Sequence, residues 1–154
     1  MNYWLMKSEP ETFSIDSLAT ARGKTAAWDG VRNYQARNFL RDQMKKGDLA
    51  FFYHSSCAVP GIAGTVSVVR EAYPDHTAFE RAHEHYDPDS DPQQPRWYMV
   101  DVKLERKFAR IITLEELREH AGTRLKHMVL LKRGNRLSIT PVTKDEWQFI
   151  NALL

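Results

Sequence analysis

Cysteine is almost absent from this chain of 154 residues, where Cys57 stands alone. One thiol can close no intrachain disulfide and build no cysteine zinc cluster, which fits a reducing compartment. Long apolar runs are missing too. No stretch approaches the roughly 18 apolar residues of a spanning helix, and the N-terminus lacks the basic, apolar and small-residue order of a secretory leader. The expected setting is therefore the cytosol, or the nucleus in a cell that has one, with no membrane partner. A strong excess of one charge is lacking as well. Lys and Arg number 22 against 20 acids, a net charge of +2, whereas a non-specific polyelectrolyte binder carries far more positive charge. Any affinity for nucleic acid must come from a local site. Neither a glycine-rich phosphate loop nor a nucleophile elbow around a serine occurs. The usual catalytic signatures are thus missing, and no cofactor is expected.

Rings, by contrast, are plentiful: four Trp, six Tyr and seven Phe. Most should pack in a core, but rings are also what unpaired bases stack on. The length suits one average domain, and a single domain over residues 1–154, favoured as a monomer, is expected. Its one compositional break is the polar, proline-bearing stretch from Tyr73 to Arg96, which reads as a long excursion within that domain.

Hydrophobic periodicity supplies the elements. Tyr3 to Met6 reads as a first strand, stopped by Pro10, and Ser14 caps a short helix holding Ile15 and Leu18. Trp28-Asp29-Gly30 is a turn. Ala36, Phe39, Leu40 and Met44 fall on one face of a helix running from Asn33 to Met44 and ended by Gly47. Leu49 to Tyr53 and Ile62 to Val69 read as neighbouring strands, and Tyr98, Val100, Val102 and Leu104 alternate with polar residues as a strand with one wet face. Capping boxes at Thr113 and Thr143 open two more helices. Between them, Met128 to Leu131 and Arg136 to Val142 supply extended segments. About five to six strands interleaved with short helices predict an α+β fold, a small mixed barrel rather than a doubly wound sheet.

Several groups of residues could carry function. Lys7-Ser8-Glu9-Pro10 places an ammonium and a hydroxyl at a strand end, where they can address a phosphate or a base edge, or simply be solvated. In Trp28 to Tyr34 a glycine allows a tight turn beside a ring, the Asn33 amide and the Arg32 guanidinium, near a helix N-terminus. Asn33 reads equally well as the cap of that helix. Tyr53, His54 and Ser55 run from a buried strand into a polar loop at a pocket rim. His54 and Cys57 are three apart, but sequence proximity in a loop does not supply the spatial pairing that activates a thiol. Arg96 and Trp97 enter the alternating strand, and Ser138 precedes the last helix; both could line a pocket mouth. His76, His83, His85, Asp87 and Asp89 form a loose cluster whose spacing fits no zinc or calcium loop, so no metal is expected.

Taken together, Tyr3 to Pro10, Trp28 to Asn38, Phe52 to Ser55, Gly61 to Gly64, Pro95 to Trp97 and Arg136 to Ser138 closely resemble the EVE domain family, in the family's order and over essentially the whole chain. The resemblance implies a PUA-like β-pseudobarrel, related to the YTH domains that read methylated adenine, and a non-catalytic role in recognising a modified base, notably a modified cytosine, in DNA or RNA. On this reading Trp28 and Trp97 are the stacking walls. Ser8 and Asn33 meet the base edge, and Lys7, Arg32 and Arg96 meet the backbone phosphates. Tyr53, His54 and Ser55 form the rim, with Tyr34 closing the pocket or only covering its helix. The runner-up is a hydrolase acting on RNA or modified nucleosides, like ASCH-type barrels, with Lys7 and His54 as its reactive groups. A third reading makes the excursion from Tyr73 to Arg96 a protein-contact surface.

Overall fold

The alternation along the strands decides how the sheet is packed. In a computed structural model covering residues 1–154, β1 (Tyr3–Ser8) sends Trp4 and Met6 into one core cluster and Leu5 into another. Its parallel partner β3 (Leu49–His54) does the same, with Ala50 and Phe52 on one side and Phe51 and Tyr53 on the other. A strand buried on both faces reads as a nearly continuous apolar run, which is what Leu49 to Tyr53 is.

Antiparallel pairing continues outward through β4 (Gly61–Pro74) and β5 (Tyr98–Thr113) to the short β2 (Thr25–Ala27). On the opposite flank β6 (Ile139–Val142) pairs antiparallel with β1. The order is β2-β5-β4-β3-β1-β6, a mixed six-stranded sheet that does not close on itself. Pro141 is tolerated because β6 is an edge strand. Several register shifts between β4 and β5 let these two long strands bend.

Helix α1 (Ile15–Thr20) opens on Ser14, which forms a reciprocal box with Ser17. The face carrying Ala36, Leu40 and Met44 is buried as expected, but its backbone is not one α-helix: α2 (Tyr34–Asn38) passes into a π-turn over Phe39–Gln43. After β5, α3 (Leu114–Arg118) has only half of the box expected at Thr113. The Thr113 hydroxyl accepts from Glu116 N–H, while the Glu116 carboxylate turns to Arg110 instead. The box at Thr143, with Glu146, is complete and starts α4 (Lys144–Asn151).

Two extended segments read from the sequence need correction. Val129–Leu131 is a 3-10 turn that buries Leu130, and the strand anticipated from Arg136 begins only at Ile139. Residues 75–97 between β4 and β5 form a long connection pinned by its own turns, as the excursion suggested. No helix is long and apolar enough to cross a membrane.

Candidate functional site

Where β1 ends, the chain turns at Glu9 and leaves Lys7 and Ser8 at the rim of a cleft of about 490 Å³. Phe13 lines the same space, and Trp28, Asp29 and Gly30 enter from the turn after β2. His83, Glu84 and His85 complete it from the long β4–β5 connection. Two rings, one ammonium, three carboxylates and two imidazoles thus converge on one opening.

Lys7 is fixed by its backbone, whose N–H donates to the Ser138 carbonyl at 2.8 Å. Burial pulls its ammonium below the ordinary lysine range, so a ligand that satisfies the charge gains against little competing solvation. The Ser8 hydroxyl donates to the Phe13 carbonyl at 2.6 Å, which leaves its lone pairs as acceptors. Trp28 is 7% exposed. Its backbone N–H donates to Val100 O and its ring meets Phe52 edge-on, so the indole is anchored in the core and reaches the cleft only at its border.

The other wall is held by an interaction that spans the chain. Buried Asp75 accepts from Gly30 N–H at 2.8 Å and from Arg32 Nη1 at 3.0 Å, and also caps the turn at Thr77. Burial alone would raise its carboxyl, but bonds from Thr77, Gly30 and Arg32 outweigh that and hold it below the usual carboxylate range. Arg32 in turn donates twice to the His85 carbonyl, and also to Thr77 Oγ1 and Val31 O. The turn carrying Trp28 is thereby tied to the segment carrying His83 and His85. Gly30, at φ 78°, lies against the His85 ring.

His83 and His85 also approach Asp29, with ligand atoms of all three within 4.8 Å of one another. Spacing alone had not paired Asp29 with these histidines. In this arrangement His83 Nδ1 accepts from His85 N–H at 3.0 Å, so the neutral ring carries its proton on Nε2. That nitrogen is a donor, and it would have to lose the proton before binding a cation.

Several sequence expectations change here. Trp28 and Trp97 do not face each other across one cleft. Trp97 lines a neighbouring depression of about 370 Å³, which shares Glu84 and His85 with the first. Its indole N–H donates to Asp87 at 2.6 Å and its face stacks on Tyr34 at 4.9 Å. Tyr34 is 52% exposed, but Trp97 and the Arg37 guanidinium both lie against its ring.

The Asn33 side chain is taken by the helix, its Oδ1 accepting from Gln35 and Ala36 N–H as the cap of α2. Every guanidinium N–H of Arg32 has a partner within the protein, so this arginine is a tie and not a free phosphate contact. Arg96 donates to Asp89 O and to the Tyr34 hydroxyl. Tyr53 is buried in the second core cluster, with its hydroxyl pKa raised by that burial. His54 Nε2 accepts from Ile15 N–H at 3.1 Å, and burial holds the ring below its ordinary pKa against the opposing charge of Asp16. Ser55 N–H donates to Ser8 O, joining the strand ends behind the cleft. None of Tyr53, His54, Ser55 or Ser138 lines the cleft itself, and His54 is not brought together with Lys7 there.

The EVE domain model matches residues 2–153. The chain belongs to the EVE domain family. This EVE domain is 52% identical to thymocyte nuclear protein 1 of Mus musculus, over 99% of the chain and 73% of the mouse protein. It superposes on human THYN1 protein in complex with DNA containing 5-methylcytosine with a TM-score of 0.95, at 50% identity, covering 99% of this chain and 97% of that one. A Pseudomonas syringae protein gives 0.93 at 46% identity, with 98% of both chains covered. The fold is accordingly PUA-like, with its six strands left as an open mixed sheet. Phe13 and Glu84 of this EVE domain were not singled out from the sequence, and Asp29, His83 and His85 were read only as a turn residue and as members of a loose cluster, not as cleft lining. Their common signal was faint: each is a ring or titratable group beside a turn, and only the fold brings them together.

Proposed function

We propose that this EVE domain is a non-catalytic DNA-binding module that accepts one modified base, a modified cytosine, in the cleft beside Trp28. The observation that carries this reading is the convergence of Lys7, Ser8, Phe13 and Trp28 with carboxylates on one opening, in a chain that matches a 5-methylcytosine DNA complex over nearly its whole length. Cytosine offers an exocyclic amine donor with acceptors beside it, so it needs carboxylate or hydroxyl acceptors on one side and a donor on the other. Asp29, Glu9 and the Ser8 lone pairs are the acceptors; the Lys7 ammonium and His83 Nε2–H are the donors. Phe13 and the border of Trp28 provide the stacking surface, taking the place first assigned to Trp97. The partner polymer puts the work of the domain where the cell keeps its DNA, which the relatives' nuclear name also favours.

Energetics set the expected selectivity. Extruding a base costs a few kcal/mol, and stacking returns about 1–3 kcal/mol. One buried methyl adds about 0.8 kcal/mol, close to a fourfold preference. The test is a fluorescence titration with a short duplex carrying one 5-methylcytosine and its unmodified twin. The wild type should prefer the methylated duplex about fourfold, and Lys7→Gln, which leaves the core intact, should weaken both. Trp28→Ala should abolish the preference, with its fold checked by circular dichroism because the ring is also core. Equal binding of both duplexes, with no effect of Lys7→Gln, would refute base reading.

A further inference from the structure

The cleft is lined by three carboxylates, Glu9, Asp29 and Glu84, against one ammonium, Lys7. A neutral heterocycle suits that lining, but a phosphodiester backbone would be set against like charge. Arg32 has no donor left for a phosphate, and Arg96, which is held to Asp89 and Tyr34 by two of its N–H groups, lines the neighbouring depression and not the cleft. The cations that hold a backbone must therefore lie outside the cleft.

Their distribution along the chain is uneven. From His120 to Lys144 there are six Lys and Arg and no Asp or Glu, so the remaining residues carry 16 cations against all 20 acids. Arg124, Lys126, Lys132, Arg133 and Arg136 are all exposed, and none of them is in an ion pair. The segment is firmly seated. Leu125, Met128 and Leu130 are buried in the second core cluster, and the Arg124 guanidinium rests on the Phe149 ring. Just past its C-terminal end, Ser138 lies outside the cleft lining but accepts from Lys7 N–H, so the segment ends next to the strand that carries Lys7 into the cleft. A run of unpaired cations on a rigid support, ending beside an anionic cleft, has the charge pattern of a backbone-tracking surface.

We infer that residues Arg124 to Arg136 form a second contact surface, one that holds the phosphate backbone of the DNA while the cleft receives the base. The inference rests on the base-reading proposal for the position of the DNA, but the backbone contact is measured separately. Wild type, the triple variant Lys132→Gln/Arg133→Gln/Arg136→Gln and the charge-preserving Arg133→Lys/Arg136→Lys are titrated with the methylated duplex and its unmodified twin, from about 0.05 to 0.2 M salt, the range over which counterion release is legible. Each lost phosphate contact flattens the slope of log K against log salt by about 0.9, so the triple variant should lose about 2 to 3 from its slope and bind both duplexes at least about tenfold more weakly. The ratio between the duplexes should stay at its wild-type value, and the lysine variant should keep the wild-type slope. An unchanged slope in the triple variant overturns the inference, as does loss of the methyl preference with backbone affinity intact. Tighter binding to anionic-lipid vesicles than to duplex, lost in the same variant, would assign the surface to a membrane and overturn it too. If the wild type binds both duplexes equally while the triple variant still loses slope, the backbone surface stands and base reading falls.

Discussion

Asp75→Asn tests whether one buried carboxylate holds the cleft together. Asp75 has no exposed surface and accepts from Gly30, Arg32 and Thr77. Asparagine keeps the shape, but it removes the charge and turns one acceptor oxygen into a donor facing Gly30 N–H and the Arg32 guanidinium. Removing one partner of a buried pair costs about 3–5 kcal/mol. The Arg32 side chain is 23% exposed, so water screens part of the orphaned charge and the lower end applies, about 3 kcal/mol. For a chain of this size that corresponds to a drop in Tm of about 6–12 °C. Denaturant melts of Asp75→Ala, Arg32→Ala and the double variant should give a coupling energy of about 2 kcal/mol, within the range for residues in one hydrogen-bonded network. Because the same carboxylate positions Gly30 against His85, oligonucleotide affinity should fall even at temperatures where Asp75→Asn is fully folded. A variant within about 1 kcal/mol of wild type, a typical cost for an unremarkable substitution, or an additive cycle, would refute this role of the Asp75 carboxylate.

The remaining predictions concern the cleft lining and its support. In Gly30→Ala the added Cβ would lie 2.4 Å from His85 Cε1, at a φ of 78° that already disfavours a side chain. Left-handed strain of about 1–2 kcal/mol should therefore come with a displaced imidazole and a reduced methyl preference, read by urea melts and duplex titration; wild-type selectivity would contradict it. His54, held below its ordinary pKa by burial, gives a pH dependence of definite sign. Below about pH 6.5 the unfolded ring takes a proton that the folded ring resists, so stability is full above that point and falls as the pH drops toward the folded-state value. His54→Gln keeps an acceptor for Ile15 N–H without titrating, so its Tm should fall less than the wild type's between about pH 7 and 5; parallel profiles would rule out this role.

What the sequence disclosed and what it hid divide along a physical line. Trp4, Leu5 and Met6 announce a strand because side-chain direction alternates with every residue, and Thr143 with Glu146 announces a helix start because both partners of the box are local. The buried face of Ala36, Leu40 and Met44 was equally plain, yet spacings of four residues serve an α-helix and a π-turn alike, so the change of backbone at Phe39 left no mark. Part of the cleft was legible for the same reason, since Lys7 and Ser8 sit where a recognisable strand ends and Trp28 opens a recognisable turn. The rest was not. His83, Glu84 and His85 lie in a connection without periodicity, placed by an Arg32–Asp75 bond between residues 43 apart. Trp97 shows the limit most clearly. A ring beside a cation invites a ligand on composition alone, but here Asp87, ten residues upstream, takes its N–H and Tyr34 takes its face. A side chain is available to a ligand only when its own chain has not already satisfied it, and that is settled by contacts between distant residues rather than by the identity of the ring.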